Sequence, residues 1–302
     1  MNIHFMRTIT LEDLQIFQTV VRAGGIHRAA EVLNRVPSNV TTRIKRFESR
    51  LGQRLFQRQG RSLVLTEAGR RLLRHAEKML QMADEIEQDM SGTDVSGPLR
   101  LGSLESAAAV RLPDVLSGFH RQYPDVSVDL CTGSTGLLLE RLRQHQIEAA
   151  LVSEPFDRGN LHAMRVFEEE LVLITAQGHA PVSDPVMLQG QAIAAFPHGC
   201  SYRRCLLEWL ACGGISPQRV MELGSYHAII ACVAAGAAVG IVPASVLATA
   251  SRGDSVQIHR LPDALAVNRT HLVWQGQSSQ PLQKLIGLLG AVHGPYIQSQ
   301  AR

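Results

Sequence analysis

Several protein classes are excluded by what this sequence lacks. Cysteine is scarce: five residues in a chain of 302, an odd number with no CxxC pair, exclude a disulfide scaffold and a ribbon-type zinc site. That usage points to a reducing, cytoplasmic compartment. The first 25 residues hold no apolar stretch of the length export requires, so export is not expected. The longest apolar run, Ala228 to Val242, covers 15 residues and is rich in Ala and Gly. It is too short for a membrane span and reads as buried helix, turn and strand, so no membrane partner is expected. No GxSxG, HExxH, Walker or GxGxxG signature occurs, and the 12 histidines show no metal-ligand spacing. No catalytic residues, metal or cofactor are therefore expected, and the chain does not read as an enzyme.

A large net charge is missing too, since 30 Lys+Arg stand against 27 Asp+Glu for a total of +3. The distribution is uneven. Between Arg22 and Arg74 there are 13 Lys/Arg and 3 Asp/Glu, a net of +10, whereas from Ser91 onward the count is 15 against 17, a net of −2. A basic end on a mildly acidic chain implies that the N-terminal part meets a polyanion. With 45% hydrophobic and 19% charged residues, the chain can bury a sizeable core in two or three packed units.

The N-terminal ninety residues read as short helices. Thr10-Leu11-Glu12-Asp13 has the form of a capping box, Leu11, Leu14, Phe17, Val20 and Val21 recur at helical spacing, and Gly24-Gly25 ends the run. A second segment, Arg28 to Leu33, carries Ala29, Ala30 and Leu33. After the break Asn34-Arg35-Val36, Pro37 opens a helix whose apolar stripe is Val40, Ile44, Phe47 and Leu51, closed by Gly52. Ser38, Asn39, Thr41, Thr42, Arg43, Lys45 and Arg46 occupy its other positions. Two helices around a tight turn, the second bearing hydroxyls, an amide and cations, describe a helix-turn-helix suited to a major groove. Leu55 to Leu65 reads as two strands around a Gln59-Gly60 turn with Arg58 and Arg61 at the tip, a basic wing; with Arg28 these complete the expected contacts to double-stranded DNA. From Thr66-Glu67 a long helix runs to about Met90. Leu72, Ala76, Met79, Ala83, Ile86 and Met90 form an a/d repeat that predicts a dimer helix.

Leu14, Phe17, Val20, Gly24, Ala29-Ala30, Leu33, Val40, Ile44, Glu48, Leu51-Gly52, Leu55-Phe56, Arg58, Arg61 and Leu65-Thr66-Glu67-Ala68-Gly69 together resemble the LysR-type transcriptional regulators, without a gap from Leu14 to Gly69. The resemblance implies an α/β protein with a winged helix-turn-helix, a dimerising linker helix and a two-lobed effector domain like type 2 periplasmic binding proteins. It also implies a homodimer, usually a dimer of dimers, bound to an inverted-repeat promoter site, with RNA polymerase as a possible contact. Two departures matter. Val36-Pro37 stand where the family usually has Ser-Gln, and His27 stands in place of Ser/Thr. The family's Gln contact to DNA is therefore not carried over, and Ser38, Asn39, Thr41, Thr42 and Arg43 are expected to supply base readout.

The domains expected are residues 1–65 for DNA binding, 66–90 for the linker helix, 91–98 for a Gly/Pro-containing hinge and 99–302 for the effector domain. Within the last, lobe I covers about 99–164 and 268–302, and lobe II about 165–267. Strand-like runs (Leu99-Leu101, Val126-Cys131, Glu148-Val152, Leu171-Thr175, Ala192-Phe196, Val220-Leu223, Val239-Val242, His271-Trp274) alternate with amphipathic helices, among them Ala107-Gln122. That alternation predicts parallel sheets with ligands outside the strands' carboxyl ends. Four strand-to-helix turns rich in small polar residues point to a small polar effector between the lobes. The expected contacts are Ser103, Leu104, Glu105, Ser106, Thr132, Ser134, Thr135, Ser153, Cys200, Ser201, Tyr202, Arg203, Gly224 and Ser225, many of which coincide with cleft positions of the family. Plain N-capping by Ser and Thr is the competing reading. Glu105, an acid among donors, raises an amine or amino-acid effector. Cys200, Cys205 and Cys212 raise a redox reading, because peroxide-sensing members of the family place cysteines in this stretch; a small core role competes with it.

Overall fold

Helix signals in the first fifty residues act as the sequence suggests, with one change at the first cap. The Thr10 hydroxyl accepts the Asp13 N–H at 3.2 Å to open α1 (Leu11–Ala23), and Gly24, at φ +71°, turns its N–H back onto the Val20 and Val21 carbonyls. The capping box is one-sided. The Asp13 carboxylate takes the Thr10 hydroxyl at 2.6 Å and the Arg50 guanidinium, so it ties α1 to the third helix instead of closing its own cap.

The computed structural model describes residues 9–59, 62–91, 95–251 and 253–293, and the chain divides into two compact units, residues 1–92 and 93–302. In the first, α1 packs with α2 (Ile26–Val32) and α3 (Pro37–Leu51) around Leu14, Phe17, Val20, Ala29, Ala30, Val40, Ile44 and Phe47, all buried. Strands β1 (Phe56–Gln59) and β2 (Ser62–Leu65) pair from Phe56↔Leu65 to Gln59↔Ser62. Gln59 is thus a ladder residue and not part of the turn, and Gly60 and Arg61 lie outside the described residues. The Glu48 carboxylate accepts the N–H groups of Leu55 at 2.7 Å and Phe56 at 3.1 Å, fixing the start of the hairpin to α3. Helix α4 (Glu67–Ser91) begins at Thr66, whose hydroxyl accepts the Gly69 N–H at 3.0 Å and donates to the Arg54 carbonyl at 2.7 Å. A side chain at Gly69 would place Cβ 2.2 Å from the Leu55 carbonyl oxygen, which is why a glycine sits inside that first turn.

The second unit carries β3 (Gly97–Ser103), α5 (Glu105–Val110), α6 (Leu112–Gln122), β4 (Val126–Thr132), α7 (Thr135–Arg143), β5 (Ala149–Ser153), β6 (His162–Ala176), β7 (Ile193–Ala195), α8 (Ser201–Cys212), β8 (Val220–Glu222), α9 (Tyr226–Ala234), β9 (Gly240–Pro243), α10 (Ala244–Thr249), β10 (Val256–Arg260), α11 (Asp263–Ala266), β11 (Val267–Trp274) and α12 (Gln280–His293). The main sheet runs β10-β6-β11-β5-β3-β4, with β9 also on β6. Two cores result. One gathers β3, β5 and α12 through residues such as Leu101, Leu151 and Leu285; the other gathers α8, α9 and β9 through Leu206, Ile230 and Val242.

Strand β6 belongs to both. Its residues up to Glu170 pair with β11, and from Leu171 on it pairs with β9 and β10. The pairing changes at Glu170/Leu171, within β6 and six residues beyond the expected boundary at about 164/165. It also corrects the expectation of parallel sheets: β3/β4, β3/β5 and β7/β8 are parallel, but every pairing of β6 and β11 is antiparallel, because one long strand crosses between lobes and another returns beside it. The helix expected over Ala107-Gln122 is two, broken at Arg111 ahead of Pro113, whose ring and missing N–H do not suit a helix interior.

Candidate functional site

In the first unit, α2, α3 and β1 enclose a groove of about 1050 Å³. Arg28 comes from α2, Ser38, Thr41 and Lys45 from one row of α3, and Arg54 and Arg58 from the approach to β1 and its edge. Asn39, Thr42 and Arg46 are exposed on the neighbouring row of α3, as the 100° step per residue requires. Cations from three elements thus flank the hydroxyl-bearing face of one helix. Among the described residues the one acid lining the groove, Glu48, is directed to the Leu55 and Phe56 backbone. Arg54 and Gln57 were not anticipated and become legible only once the hairpin is folded against α3; His27, from α2, lines the groove as well.

Arg43, expected to read bases, is ion-paired to Glu12 of α1 at 2.7 Å, with Arg35 on the other carboxylate oxygen at 2.9 Å. Those two hydrogen bonds hold the Glu12 carboxyl below its ordinary range. Residue 43 lies on the flank of α3 towards α1, away from the groove. Arg61 lies outside the described residues.

In the second unit, a cavity of about 440 Å³ opens between the lobes. Leu104, Glu105, Thr132, Ser134 and Ser153 line it from the β3, β4 and β5 side; Cys200, Ser201, Tyr202 and Gly224 line it from the other. A neighbouring cavity of about 430 Å³ shares Cys200 and Ser201 and adds Thr135 and Arg203. Between them the Gly136 N–H approaches the Gly199 carbonyl at 3.4 Å, a backbone contact from lobe to lobe. Ser153, at the end of β5, is the junction. Its N–H donates to the Thr135 hydroxyl at 3.2 Å, its carbonyl accepts from the Ser201 hydroxyl at 3.1 Å, and its own hydroxyl donates to Asn268 at 2.6 Å.

Three expected contacts do not line either cavity. Ser103 is fully buried, its hydroxyl donating to the Leu104 carbonyl at 2.9 Å; Ser106 is buried behind the wall; Ser225 caps α9, accepting the Ala228 N–H at 3.2 Å. Simple capping accounts for Ser225. Arg203 reaches the second cavity but is 7% exposed, and its guanidinium bonds the Glu222 carboxylate at 2.5 Å and the Phe196 carbonyl at 3.2 Å. It fastens α8 to β8. Leu137, Phe196, Pro197, His198 and Tyr226 also line the first cavity and escaped the sequence reading, because each belongs to the loop before α8 or to an apolar position that reads as core.

Burial pushes the Glu105 carboxyl up, and pushes the Cys200 and Cys205 thiols and the Tyr202 and Tyr226 phenols up as well. A thiolate-based redox role favours the opposite shift, so burial at Cys200 works against that reading and does not support it. Among the described residues no helix is long and apolar enough to cross a membrane.

A unit of four helices and a hairpin with a basic groove, followed by a two-lobed α/β unit with a cleft, defines a ligand-responsive DNA-binding regulator. Residues 11–70 match the model of the lysR family of bacterial regulatory helix-turn-helix proteins, and residues 92–293 match that of the LysR substrate binding domain. The chain belongs to the LysR family of transcriptional regulators. It is 36% identical over 256 residues to the HTH-type transcriptional regulator GltR of Bacillus subtilis, covering 84% of this chain and 86% of that one. Among solved structures it resembles a full-length, singly substituted OxyR from Pseudomonas aeruginosa (TM-score 0.72, 21% identity, 97% of this chain and 99% of that one). It also resembles full-length CbnR complexed with its target DNA (TM-score 0.66, 21% identity, 94% and 99%). The family is one of regulators with a helix-turn-helix DNA-binding domain and an effector-binding domain, not of enzymes.

Proposed function

We propose that this regulator acts in the cytoplasm as a homodimer joined through α4, itself paired into a tetramer, on an inverted-repeat promoter site in double-stranded DNA. The face of α3 carrying Ser38, Asn39, Thr41, Thr42, Lys45 and Arg46 enters the major groove, while Arg28, Arg54, Arg58 and Arg61 take phosphates. The groove that joins hydroxyls on α3 to cations from α2 and the wing is the observation that carries this reading. The similar CbnR chain, solved with its target DNA, supports it.

The dimer reading is supported by α4, where Met79, Met82 and Ile86 are 44%, 63% and 56% exposed at spacings of three and four. A small polar effector in the cavity between the lobes, contacting Glu105, Thr132, Ser134, Ser153, Ser201 and Tyr202, shifts the balance between arrangements of the two dimers and so alters DNA bending and contact with RNA polymerase. The domain reading follows: a DNA-binding segment and linker helix within residues 1–92, an effector domain beyond. Selection from a random duplex library tests the proposal. It should return an inverted repeat with half-sites about one helical turn apart, bound by two chains or four; recovery of single unpaired half-sites overturns the dimer reading.

A further inference from the structure

The cavity between the lobes has an unbalanced chemistry. Glu105 is the one acid among the described residues that line it, and no Lys or Arg is among them. One oxygen of the Glu105 carboxylate is buried without a hydrogen-bond partner in the protein, and no described cation forms an ion pair with it. The donors that would suit an anionic ligand are in part committed. Ser134 accepts the Leu137 N–H at 3.4 Å at the start of α7, Ser225 accepts the Ala228 N–H at 3.2 Å at the start of α9, and at the start of α8 the Cys200 thiol faces the N–H groups of Tyr202 and Arg203. The helix starts are therefore capped from within; the Glu105 carboxylate takes the Tyr226 N–H at the start of α9, and its other oxygen is left wanting a donor. Beside it the wall is apolar: Leu104, Leu137, Phe196 and Tyr226, with Phe196 and Tyr226 edge to face at 4.8 Å.

We propose that the effector is a small molecule with a protonated amine, held on the Glu105 carboxylate, and an apolar body lying against Leu104, Leu137, Phe196 and Tyr226. This deepens the reading of the cavity as the effector site and rests on it. An ammonium group brings three donors and a charge to an acceptor that the protein itself leaves half-satisfied. The phenol of Tyr202, a residue that also lines the cavity, is buried with the Ser106 and Ser153 hydroxyls as its polar neighbours.

The direction of pH dependence separates this from the opposite chemistry. The titratable groups around Glu105 are Tyr226 and His227 from α9, Cys200 and Tyr202 from the start of α8, and His198 from the preceding loop. Burial raises the Glu105 carboxyl, so an amine should bind more tightly as pH rises through that titration and ionises the acid. A carboxylate ligand accepting from protonated Glu105 should bind more weakly over the same interval.

Thermal unfolding of the full-length chain with 2-phenylethylamine, L-phenylalanine and phenylacetate tests the proposal, since the three share one apolar body. The amine and the amino acid should raise Tm by roughly 2–4 °C or more well above their Kd, phenylacetate should not, and the shift should grow with pH. Glu105→Gln should abolish the shift, Glu105→Asp should keep part of it, and the unliganded Gln variant should melt no lower than the parent. Gly224→Phe, at a position where an added Cβ meets nothing within 4 Å, should fill the cavity and abolish every shift. Stabilisation by phenylacetate alone, or no shift with any probe, overturns the amine. If phenylacetate stabilises and the Phe variant removes that effect, the cavity survives as the effector site; shifts that persist in the Phe variant overturn both.

Discussion

At the scale of single residues, charge and contact distance argue for roles that residue type alone does not suggest. Arg43 is the clearest case. An arginine on the second helix of a helix-turn-helix invites a guanine contact, but its guanidinium shares Glu12 with Arg35 and braces α3 against α1. Arg43→Ala should therefore leave the selected operator sequence unchanged and weaken all sequences by no more than a few-fold, whereas Lys45→Ala should change preference or affinity far more. Selection from random duplexes with each variant gives the answer, and an altered consensus for Arg43→Ala would return that residue to base reading. Gly69 makes the converse point. Glycine inside a helix normally costs about 1 kcal/mol relative to alanine, so Gly69→Ala ought to stabilise α4. The Leu55 carbonyl, 2.2 Å from the added Cβ, reverses the sign. A net destabilisation of about 1–3 kcal/mol is expected from the forced backbone shift, read as a lower urea midpoint.

At the scale of elements, α4 divides its apolar stripe between two tasks. Ala76 is buried and Leu72, Leu73 and Leu80 pack partly into the core of the first unit, while Met79, Met82 and Ile86 stay exposed. The a/d repeat is thus partly internal, and only its later turns are free to meet a second copy. Met82→Glu with Ile86→Glu should convert the protein to monomers, measured by sedimentation velocity, without loss of helical signal; a persistent dimer would move the interface elsewhere. Elements also show where the sequence was legible. Capped amphipathic helices such as α1 and α3 declare themselves through stripes of period 3.6 and terminal glycines. Strand β10 does not: its apolar Ile258 faces outward, while Val256 and His259 are the buried positions, His259 bonded to Thr175 at 2.8 Å and to the Val182 N–H at 3.1 Å. The irregular pattern hides the strand. The cleft was half legible for a related reason. Small polar turns marked Thr132, Ser134 and Ser201, but nothing local separates a lining serine from a buried one such as Ser103, nor reveals that Phe196, His198 and Tyr226 converge across lobes.

At the scale of the whole molecule, a total charge of +3 conceals a strongly basic DNA-binding end. Binding to a selected operator should therefore fall by roughly 10³ to 10⁵ between 50 and 200 mM salt if about 6–10 phosphates are neutralised. A flat salt response would remove the groove-docking account. Effector binding in the cleft and operator binding at the groove are coupled only if each distinguishes between arrangements of the chains, and that coupling obeys a strict reciprocity. If a ligand changes operator affinity by some factor, typically about 5–150-fold, saturating operator must change ligand affinity by the same factor. Titrating ligand into the free protein and into the protein–operator complex measures the second factor; titrating operator with and without ligand measures the first. Equal factors, both different from one, are expected here. Two factors of one would make the cleft a binding site without a regulatory output, because a ligand of equal affinity for both arrangements shifts nothing however tightly it binds.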